Sequence, residues 1–134
     1  MRTALVTGGS GAIGPALVHR LADDGWSVRV LVRKPPPPRL LPDSAQVILG
    51  DITDVDAIRT GVAGASHVFH LAARLHINSP GSALAGEYRR TNVDGSRLLA
   101  EAAAAAGVDR LVFFSTIAVY GATVPGELLN EASP

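Results

Sequence analysis

Three glycines near the start of the chain restrict its fold more than any other feature. They are Gly8, Gly11 and Gly14 in the stretch "ALVTGGSGAIGPALVHRL", and they lie three residues apart. A short apolar run typical of a buried strand precedes them, and apolar residues recurring every four positions, as on one face of a helix, follow them. The stretch therefore predicts a strand, a tight turn and a helix in succession, which is the start of a βαβ unit.

Four further apolar runs have the length and composition of strands that are buried on both faces. They cover residues 27–32, 45–50, 67–72 and 110–116. A helical pattern lies between the third and fourth strands, where Val55, Ile58 and Val62 share one helical face. Thr53 is the predicted amino-terminal cap of that helix.

The longest helix is predicted over about residues 91–106, because the segment "AEAAAAAG" has a high helix propensity. Gly107 is its expected carboxyl-terminal cap. Strands and helices thus alternate along the chain, which predicts a parallel sheet with right-handed crossovers. We expect an α/β fold with a Rossmann-like doubly wound sheet of strand order 3-2-1-4-5, in one domain over residues 1–134.

The composition excludes several classes of protein. Of 134 residues 47% are hydrophobic, and 12 basic residues balance 12 acidic ones, so no nucleic-acid partner is expected. The chain has no cysteine and begins with a predicted strand in place of a secretion signal, which indicates a cytoplasmic location. No apolar run approaches the roughly 20 residues that cross a bilayer, so no membrane partner is expected.

The spacing of the glycines also suits the binding of a dinucleotide. Gly8 would permit the tight turn, Gly11 would let the main chain approach a pyrophosphate, and Gly14 would let the helix lie close to the sheet. Pro15 fits the first turn of the helix, whose amino terminus would face the anion. The alternative is that the glycines serve only to reverse the chain.

Five segments resemble those of a known family. They are "TGGSGAIG" (7–14), "GDITD" (50–54), "HLAA" (70–73), "TNVDGSRLLAEAA" (91–103) and "FFSTIAVYG" (113–121). Their order and spacing are similar to those of the extended short-chain dehydrogenase/reductases, the NAD-dependent epimerase/dehydratase group, over essentially the whole chain. The resemblance implies an NAD(P)-dependent reductase, epimerase or dehydratase that acts by hydride transfer on a carbonyl or secondary alcohol of a small-molecule substrate.

The resemblance also implies which residues bind the cofactor. Those expected to carry the pyrophosphate are Gly8, Gly11, Ala12, Ile13 and Gly14. Those expected beside the adenine are Asp51 and Ile52, and those expected along the path to the nicotinamide are Leu71, Ala72 and Ala73. Asn92 matches a position that steadies the active-site framework.

Two hydroxyl residues after the last strand match the catalytic position of the family. Thr116, four residues before Tyr120, matches the catalytic Ser/Thr that hydrogen-bonds the oxygen of the substrate, and Ser115 precedes it. A hydroxyl in that role is expected at the carboxyl end of a strand, where doubly wound sheets bind ligands. The alternative for Thr116 is the cap of a helix or turn.

The residues at the end of the second strand favour NADP over NAD. An acidic residue usually ends this strand in NAD-binding sheets and takes the ribose hydroxyls, but Val32 stands there. Arg33 follows and would pair with a 2′-phosphate, as in the dihydroflavonol and cinnamoyl type of reductase that the segment resembles. NADP is therefore the predicted cofactor, with NAD as the alternative.

The chain lacks the Tyr-x-x-x-Lys pair on which the chemistry of the family depends. Its only lysine is Lys34, and its two tyrosines, Tyr88 and Tyr120, are followed at four residues by Asn92 and Val124. We therefore expect an amino-terminal portion of a longer enzyme, truncated before the sixth strand, without the substrate domain and inactive on its own. The alternative is a non-catalytic dinucleotide-binding module or sensor.

Two further expectations concern metals and partner chains. His67 and His70 are three residues apart on a predicted strand, so their side chains point to opposite faces, and no metal site is expected. The apolar fifth strand would lie at an unpaired edge of the sheet, and such edges tend to pair with another chain. A homo-oligomer is therefore expected, formed through this edge or through the alanine-rich helix.

Overall fold

The structure, a computed structural model, describes residues 2–74, 82–116, 121, 126 and 128–133. The strands among them are β1 (Thr3–Thr7), β2 (Ser27–Val32), β3 (Gln46–Leu49), β4 (His67–His70) and β5 (Arg110–Phe113). The helices are α1 (Gly14–Asp23), α2 (Val55–Val62), α3 (Ser82–Tyr88) and α4 (Ser96–Ala105), with a π-helical segment, Arg89–Gly95, between the last two. Strands and helices alternate as predicted, apart from β2 and β3, which no helix separates, and the helical run that precedes α4.

The five strands form one parallel sheet in the order β3-β2-β1-β4-β5, which confirms the predicted doubly wound topology. β1 is the central strand, with β2 on one side and β4 on the other. The strand order reverses between β1 and β4, and in open parallel sheets ligands bind outside the carboxyl ends of the strands at such a reversal. The fold therefore directs attention to the ends of β1 and β4.

Two apolar clusters cover the two faces of the sheet. Alternate residues of a strand point to opposite faces, and accordingly Leu5 packs in the cluster that includes residues of α2 and α4. Its neighbours Ala4 and Val6 pack in the other cluster, which includes Val18 and Leu21 of α1. The sheet is thus buried between helices on both faces, as its continuous apolar strands predict.

Two predicted strands, 67–72 and 110–116, end earlier than expected. The register aligns Thr7, the last residue of β1, with His70, and it aligns His70 with Phe113. Because β1 passes into the glycine stretch after Thr7, β4 has no residue of β1 to pair with beyond His70, and β5 ends in register with β4. The residues predicted as the last part of these strands instead form loops at the carboxyl edge of the sheet.

The predicted cap of α2 at Thr53 is wrong. The cap is Asp54, whose carboxylate accepts hydrogen bonds from the backbone N–H groups of Asp56 at 3.0 Å and Ala57 at 3.1 Å. Thr53 is engaged elsewhere, since its N–H and its hydroxyl both donate to the carboxylate of Asp51. A carboxylate at a helix amino terminus also interacts favourably with the helix dipole.

The long helix begins earlier than the predicted residue 91. Helical structure starts at Ser82, and the turns over Arg89–Gly95 are π-helical. The prediction missed residues 82–90, where Gly86 and Tyr88 have lower helix propensities than the alanine-rich segment on which the predicted helix was based. The predicted end is confirmed, because Gly107 has φ +70° and the N–H of Val108 bonds to the carbonyl of Ala103 at 3.0 Å. Within the described part of the chain, no helix is both long and apolar enough to cross a membrane.

Candidate functional site

A tight turn joins β1 to α1 at the carboxyl edge of the sheet. This glycine turn, defined here as Gly8–Ile13, begins with Gly8 at φ +73° and is closed by a hydrogen bond from the Gly11 N–H to the Gly8 carbonyl at 2.9 Å. A Cβ on Gly8 would lie 2.6 Å from the backbone nitrogen of Ala72 and 2.8 Å from the carbonyl carbon of Leu71. Only glycine permits both this φ and this close approach to the chain that leaves β4.

The other glycines of the stretch have different neighbours. A Cβ on Gly14 would overlap the backbone of Gly9, and a Cβ on Gly9 would overlap the side chain of Val30 in β2. Close packing of α1 against the sheet thus depends on Gly9 together with Gly14. Gly9 was not among the predicted site residues, because the three-residue spacing of the motif passes over it. A Cβ on Gly11 would meet only the Gly8 carbonyl oxygen, at 3.2 Å, so Gly11 is less restricted by packing.

The amino terminus of α1 opens onto this turn. Ile13, its N-cap residue, supplies no side-chain hydrogen bond to the first turn of the helix, and a proline stands at the start of the helix as predicted. Residues 10–13 are exposed, so Ala12 and Ile13 lie at the surface of the turn. Backbone N–H groups at a helix start that no side chain caps are available to an anion.

The residues after β4 form a wall beside the glycine turn. In this wall segment, Leu71–Ala73, the N–H of Leu71 donates to the carbonyl of Thr7 at 3.1 Å. The N–H of Ala72 points at the hydroxyl oxygen of Thr7, 3.4 Å away. Leu71 and Ala72 are half-buried and Ala73 is exposed. The structure thus places the three predicted residues beside Gly8, at the reversal of strand order.

Asp51 and Ile52 follow β3 on the same edge of the sheet. The carboxylate of Asp51 accepts hydrogen bonds from the Thr53 N–H at 3.0 Å and the Thr53 hydroxyl at 2.8 Å. Partial burial acts to raise the pKa of Asp51, but these hydrogen bonds and the positive charges of Arg33 and Arg90 outweigh it, so the pKa lies below its ordinary value. Ile52 is buried in the core cluster of α2 and α4, so its side chain presents little surface to a ligand.

Arg33 lies directly after β2 and is exposed. Val32 before it is buried among the apolar residues on the α1 face of the sheet. The carbonyl of Val32 accepts a hydrogen bond from the N–H of Gly50 at 2.9 Å, which holds the ends of β2 and β3 together. Arg33 therefore stands at the edge that carries Asp51, and its charge helps to lower the pKa of that carboxyl group.

Asn92, in the π-helical segment, clamps the chain that follows the wall segment. Its side-chain oxygen accepts a hydrogen bond from the Arg74 N–H at 2.7 Å, and its side-chain nitrogen donates to the Arg74 carbonyl at 3.0 Å. The guanidinium of Arg74 pairs with the carboxylate of Glu87 at 2.6 Å. Asn92 thus ties the helical run to the chain after β4, and its role in an active-site framework stays a prediction.

A buried polar chain beneath the glycine turn was not predicted. The hydroxyl of Thr7 lies 2.6 Å from Nδ1 of His70, and Nε2 of His70 lies 2.8 Å from the hydroxyl of Ser96. Thr7 and His70 are fully buried, and burial lowers the pKa of His70 to about 4. The histidine of "HLAA" is the signal in the sequence, but its spacing from His67 bears only on a metal site and does not reveal these partners.

His67 and His70 do lie on opposite faces of β4, as predicted. The ring of His67 packs edge-on against Trp26, with ring centroids 4.9 Å apart, whereas His70 faces Ser96 of α4. Across the residues that the structure describes, no group of three His, Cys, Asp or Glu side chains is arranged to hold a metal ion.

Ser115 and Thr116 follow β5 at the same edge of the sheet as the other predicted residues. Both are exposed, and they lie two and three residues beyond Phe113, the last residue of the strand. Tyr120, four residues after Thr116, lies outside the described residues. Apart from Asn92 in the π-helical segment, the predicted site residues therefore follow the carboxyl ends of the five parallel strands, on one edge of the sheet.

Comparison with known proteins fits this arrangement. Residues 4–134 match the family described as the NAD dependent epimerase/dehydratase family. The chain belongs to this family. The match spans nearly the whole chain, and it confirms the family that the five sequence segments resembled.

Individual relatives are longer than this chain. The chain is 39% identical over 119 residues to a 3-beta-hydroxysteroid dehydrogenase of Mycolicibacterium neoaurum, a match that covers 86% of the chain and 32% of that protein. A short-chain dehydrogenase/reductase superfamily protein of Agrobacterium tumefaciens, solved with bound NAD, is 34% identical, with a TM-score of 0.85 over 99% of this chain and 38% of the other.

A UDP-glucose 4-epimerase of Thermus thermophilus, solved in complex with NAD, is 30% identical, with a TM-score of 0.82 over 98% of this chain and 43% of the other. These two solved proteins share the fold of the chain, and both were solved with NAD. The chain spans about a third of the length of the curated relatives it matches.

Proposed function

We propose that the chain binds NADP, with NAD as the alternative, and forms the cofactor-binding part of an oxidoreductase, epimerase or dehydratase. The substrate would be a small molecule with a carbonyl or secondary alcohol. One observation carries the proposal: the glycine turn packs directly on the wall segment at the point where the strand order reverses. The two backbones are so close there that a Cβ on Gly8 would overlap the wall segment. NAD in two solved relatives of similar fold supports it.

The residues present fit a dinucleotide. Apart from the Gly11 N–H, which bonds to the Gly8 carbonyl, the N–H groups of the exposed residues of the glycine turn and of the uncapped start of α1 would bind the pyrophosphate. Asp51 and the backbone of Ile52 would lie beside the adenine and its ribose, and the wall segment would line the way to the nicotinamide. When bound, the nicotinamide would supply the hydride chemistry.

The choice of NADP depends on Arg33. Its guanidinium is exposed at the edge of the sheet, where the preceding residue, Val32, is buried and apolar. A guanidinium can bind a phosphate through two parallel hydrogen bonds, whereas an acidic residue at this point would bind ribose hydroxyls and repel a phosphate. The absence of an acidic residue from positions 32–34 of the sequence supports the same choice.

Thr116 is proposed to hold the substrate oxygen, with Ser115 beside it. A hydroxyl at the carboxyl end of β5 would donate a hydrogen bond to that oxygen and orient the reacting carbon toward the nicotinamide. The sequence contains no tyrosine with a lysine four residues later, so no residue of the 134 would serve as the expected acid or base. We therefore propose that these residues alone bind the cofactor without catalysing hydride transfer.

A second candidate is a non-catalytic dinucleotide-binding module, which the missing pair favours only if the natural protein has no residues beyond position 134. The two candidates differ in the sequence that encodes the natural protein. A tyrosine followed by lysine at four residues, roughly ten to twenty residues past position 134, would support the enzyme, and its absence would support the module. Both candidates require a bound dinucleotide.

A homo-oligomer is proposed as well. Phe113 and Phe114 at the end of the edge strand β5 are 54% and 41% exposed. Unpaired apolar edges tend to associate, so β5 is the proposed contact.

Titration of the purified chain with NADPH and NADH by calorimetry tests the cofactor proposal. We expect both to bind, NADPH more tightly. Gly11→Asp places a carboxylate in the turn, where its Cβ would meet only the Gly8 carbonyl oxygen, at 3.2 Å, so binding should be lost through charge repulsion. Circular dichroism of this variant checks that the fold is kept. Gly86→Asp is the matched control, since it adds the same charge at an open helical position outside the turn. Failure of the parent chain to bind either dinucleotide would overturn the proposal.

A further inference from the structure

The direction of every proton in the buried chain around His70 follows from the chemistry of its members. The hydroxyl of Ser96 lies 2.7 Å from the carbonyl oxygen of Asn92, and a carbonyl can only accept, so Ser96 donates there. A serine hydroxyl has one proton. Toward Nε2 of His70, 2.8 Å away, Ser96 must therefore accept, which places a proton on Nε2.

The other side of the ring is fixed in the same way. In the neutral imidazole the second nitrogen, Nδ1, has no proton and accepts. The hydroxyl of Thr7 then donates to Nδ1 at 2.6 Å, and its oxygen faces the N–H of Ala72 at 3.4 Å. Every hydrogen bond thus donates in the same direction: from the Ala72 N–H to Thr7, from Thr7 to His70, from His70 to Ser96, and from Ser96 to the Asn92 carbonyl.

The surroundings of His70 keep its ring neutral. The ring is 1% exposed, and burial alone accounts for the lowering of its pKa to about 4. Among the described residues, those that face it from the packed elements are Thr7 of β1, Phe113 of β5 and Ser96 of α4, and none of them carries a charge. A second proton on the ring would also leave the hydroxyl proton of Thr7 without its acceptor in a buried site.

The hydrogen-bonded side chains of Thr7, His70 and Ser96 connect the three parts of the proposed cofactor cleft. Thr7 is the residue before the glycine turn, His70 is the residue before the wall segment, and Ser96 follows the π-helical segment that holds Asn92. Asn92 in turn clamps both backbone groups of Arg74. The hydrogen bonds of His70 to Thr7 and to Ser96 therefore join elements that must keep a fixed separation for the cleft to hold a ligand.

We propose that His70 is a positioning residue of the dinucleotide cleft, which acts as the Nε2–H tautomer to hold the glycine turn, the wall segment and the π-helical segment in one arrangement. This inference rests on the proposed cofactor binding. His70 itself would touch neither substrate nor cofactor, since Thr7 and Ser96 occupy both of its nitrogens.

The tautomer is tested by long-range 1H–15N spectroscopy of the chain labelled at its four histidines. One histidine should show a protonated Nε2 and an unprotonated Nδ1, with no titration above about pH 5. That signal should disappear in His70→Asn and persist in His67→Gln, the matched control on the opposite face of β4. A His70 with Nδ1–H, a tautomer mixture, or an ordinary pKa would overturn the proposal.

The positioning role is tested by NADPH and NADH affinities of paired variants. Ser96→Ala removes the acceptor for His70, and we expect dinucleotide binding about tenfold weaker, as for loss of one buried hydrogen bond. Ser96→Thr keeps the hydroxyl and should bind within about twofold of the parent. His67→Gln should also bind as the parent does. Circular dichroism establishes that each variant is folded before its affinity is compared.

The outcomes separate this inference from the proposed function. Binding by the parent with unchanged affinity in Ser96→Ala, or no recovery in Ser96→Thr, would overturn the positioning role alone. A parent chain that binds neither dinucleotide would overturn the proposed function, and the positioning role with it, even where His70 shows the expected tautomer. If Ser96→Ala does not fold, Thr7→Val compared with Thr7→Ser provides the same test from the other nitrogen of the ring.

Discussion

The ends of β1 and β5 lie on the same edge of the sheet but differ in how they are built. Thr7, at the end of β1, is fully buried and hydrogen-bonded to His70, and Gly8 after it is in contact with the backbone of Ala72. Phe113, at the end of β5, is 54% exposed, and Thr116 beyond it lies at the surface. The first end is enclosed by other parts of the described chain, whereas the second is open.

This difference matters because the proposed pyrophosphate site lies at the end of β1 and the proposed substrate-binding hydroxyl lies beyond the end of β5. Backbone groups held rigidly by close packing are what a pyrophosphate site requires, and the turn after β1 has them. A hydroxyl that stabilises a developing charge acts far better in a site from which water is excluded, and the end of β5 does not provide this among the described residues. The comparison therefore favours the end of β1 as the proposed dinucleotide site, whereas the described residues around the end of β5 enclose no site for the proposed reaction.

The largest expected effect comes from filling the space beside the glycine turn. Gly14→Ala places a Cβ into the backbone of Gly9. Gly9 cannot shift to make room, because it is packed closely against the side chain of Val30. We expect the free energy of unfolding to fall by about 3 kcal/mol, at the upper end of overpacking effects. Urea denaturation followed by circular dichroism measures it.

Gly86→Ala is the matched control for that substitution. Gly86 is helical with open space around a Cβ, so alanine there should raise the free energy of unfolding by about 0.5 to 1 kcal/mol. A Gly14→Ala chain within about 1 kcal/mol of the parent would contradict the account of the turn as closely packed.

The next effect is the loss of stability on acidification. The pKa of His70 is lowered to about 4 in the folded chain and is about 6.5 when unfolded, so the unfolded state binds more protons between these values. The stabilisation is present in full above about pH 6.5 and should be lost as the pH falls toward 4, by about 3 kcal/mol. Urea denaturation at a series of pH values measures this loss.

His70→Asn should flatten that pH dependence between about pH 6.5 and 4.5, because asparagine does not titrate. The window lies above the range of Asp51, whose pKa is lowered and whose stabilisation is lost only at more acidic pH, below its ordinary value of 3.8. Equal slopes for the parent and His70→Asn would show that His70 is not held neutral.

The same contrast explains what sequence reasoning found and missed. The order of strands and helices follows from apolar periodicity and from the glycine turn, both of which are local in sequence, and the structure confirms the predicted sheet. The π-helical segment was missed because periods of 3.6 and 2 do not describe it. The role of His70 was missed because its partners, Thr7 and Ser96, are 63 and 26 residues away. A histidine in an apolar strand gives no sign of which residues the fold brings to its two nitrogens.

A smaller effect is expected at the adenine end of the edge. Arg33→Asp replaces a guanidinium that would pair with a 2′-phosphate by a carboxylate that would accept from ribose hydroxyls. The ratio of NADPH to NADH affinity should fall by at least about tenfold, which is about 1.4 kcal/mol. Calorimetry with both dinucleotides measures the ratio.

Arg2→Asp is the control for Arg33→Asp. It makes the same charge change in an arginine that lies over the ring of Trp26, before the amino end of β1 and so away from the carboxyl edge of the sheet. An Arg33→Asp chain with the affinity ratio of the parent would contradict the assignment of the 2′-phosphate to Arg33.

The smallest effect on stability is expected at the open end of β5. Phe114 is 41% exposed and lies beyond the strand, so Phe114→Ser should lower the free energy of unfolding by only about 1 to 2 kcal/mol. The same substitution should weaken self-association measurably, because the exposed aromatic pair at this edge is the proposed contact. Light scattering and sedimentation over micromolar concentrations compare the variant with the parent and with Leu49→Ser at the opposite edge strand, β3. Self-association that persists in Phe114→Ser but is lost in Leu49→Ser would place the contact at β3 instead of β5. A parent chain that remains monomeric over this range would contradict the proposed homo-oligomer.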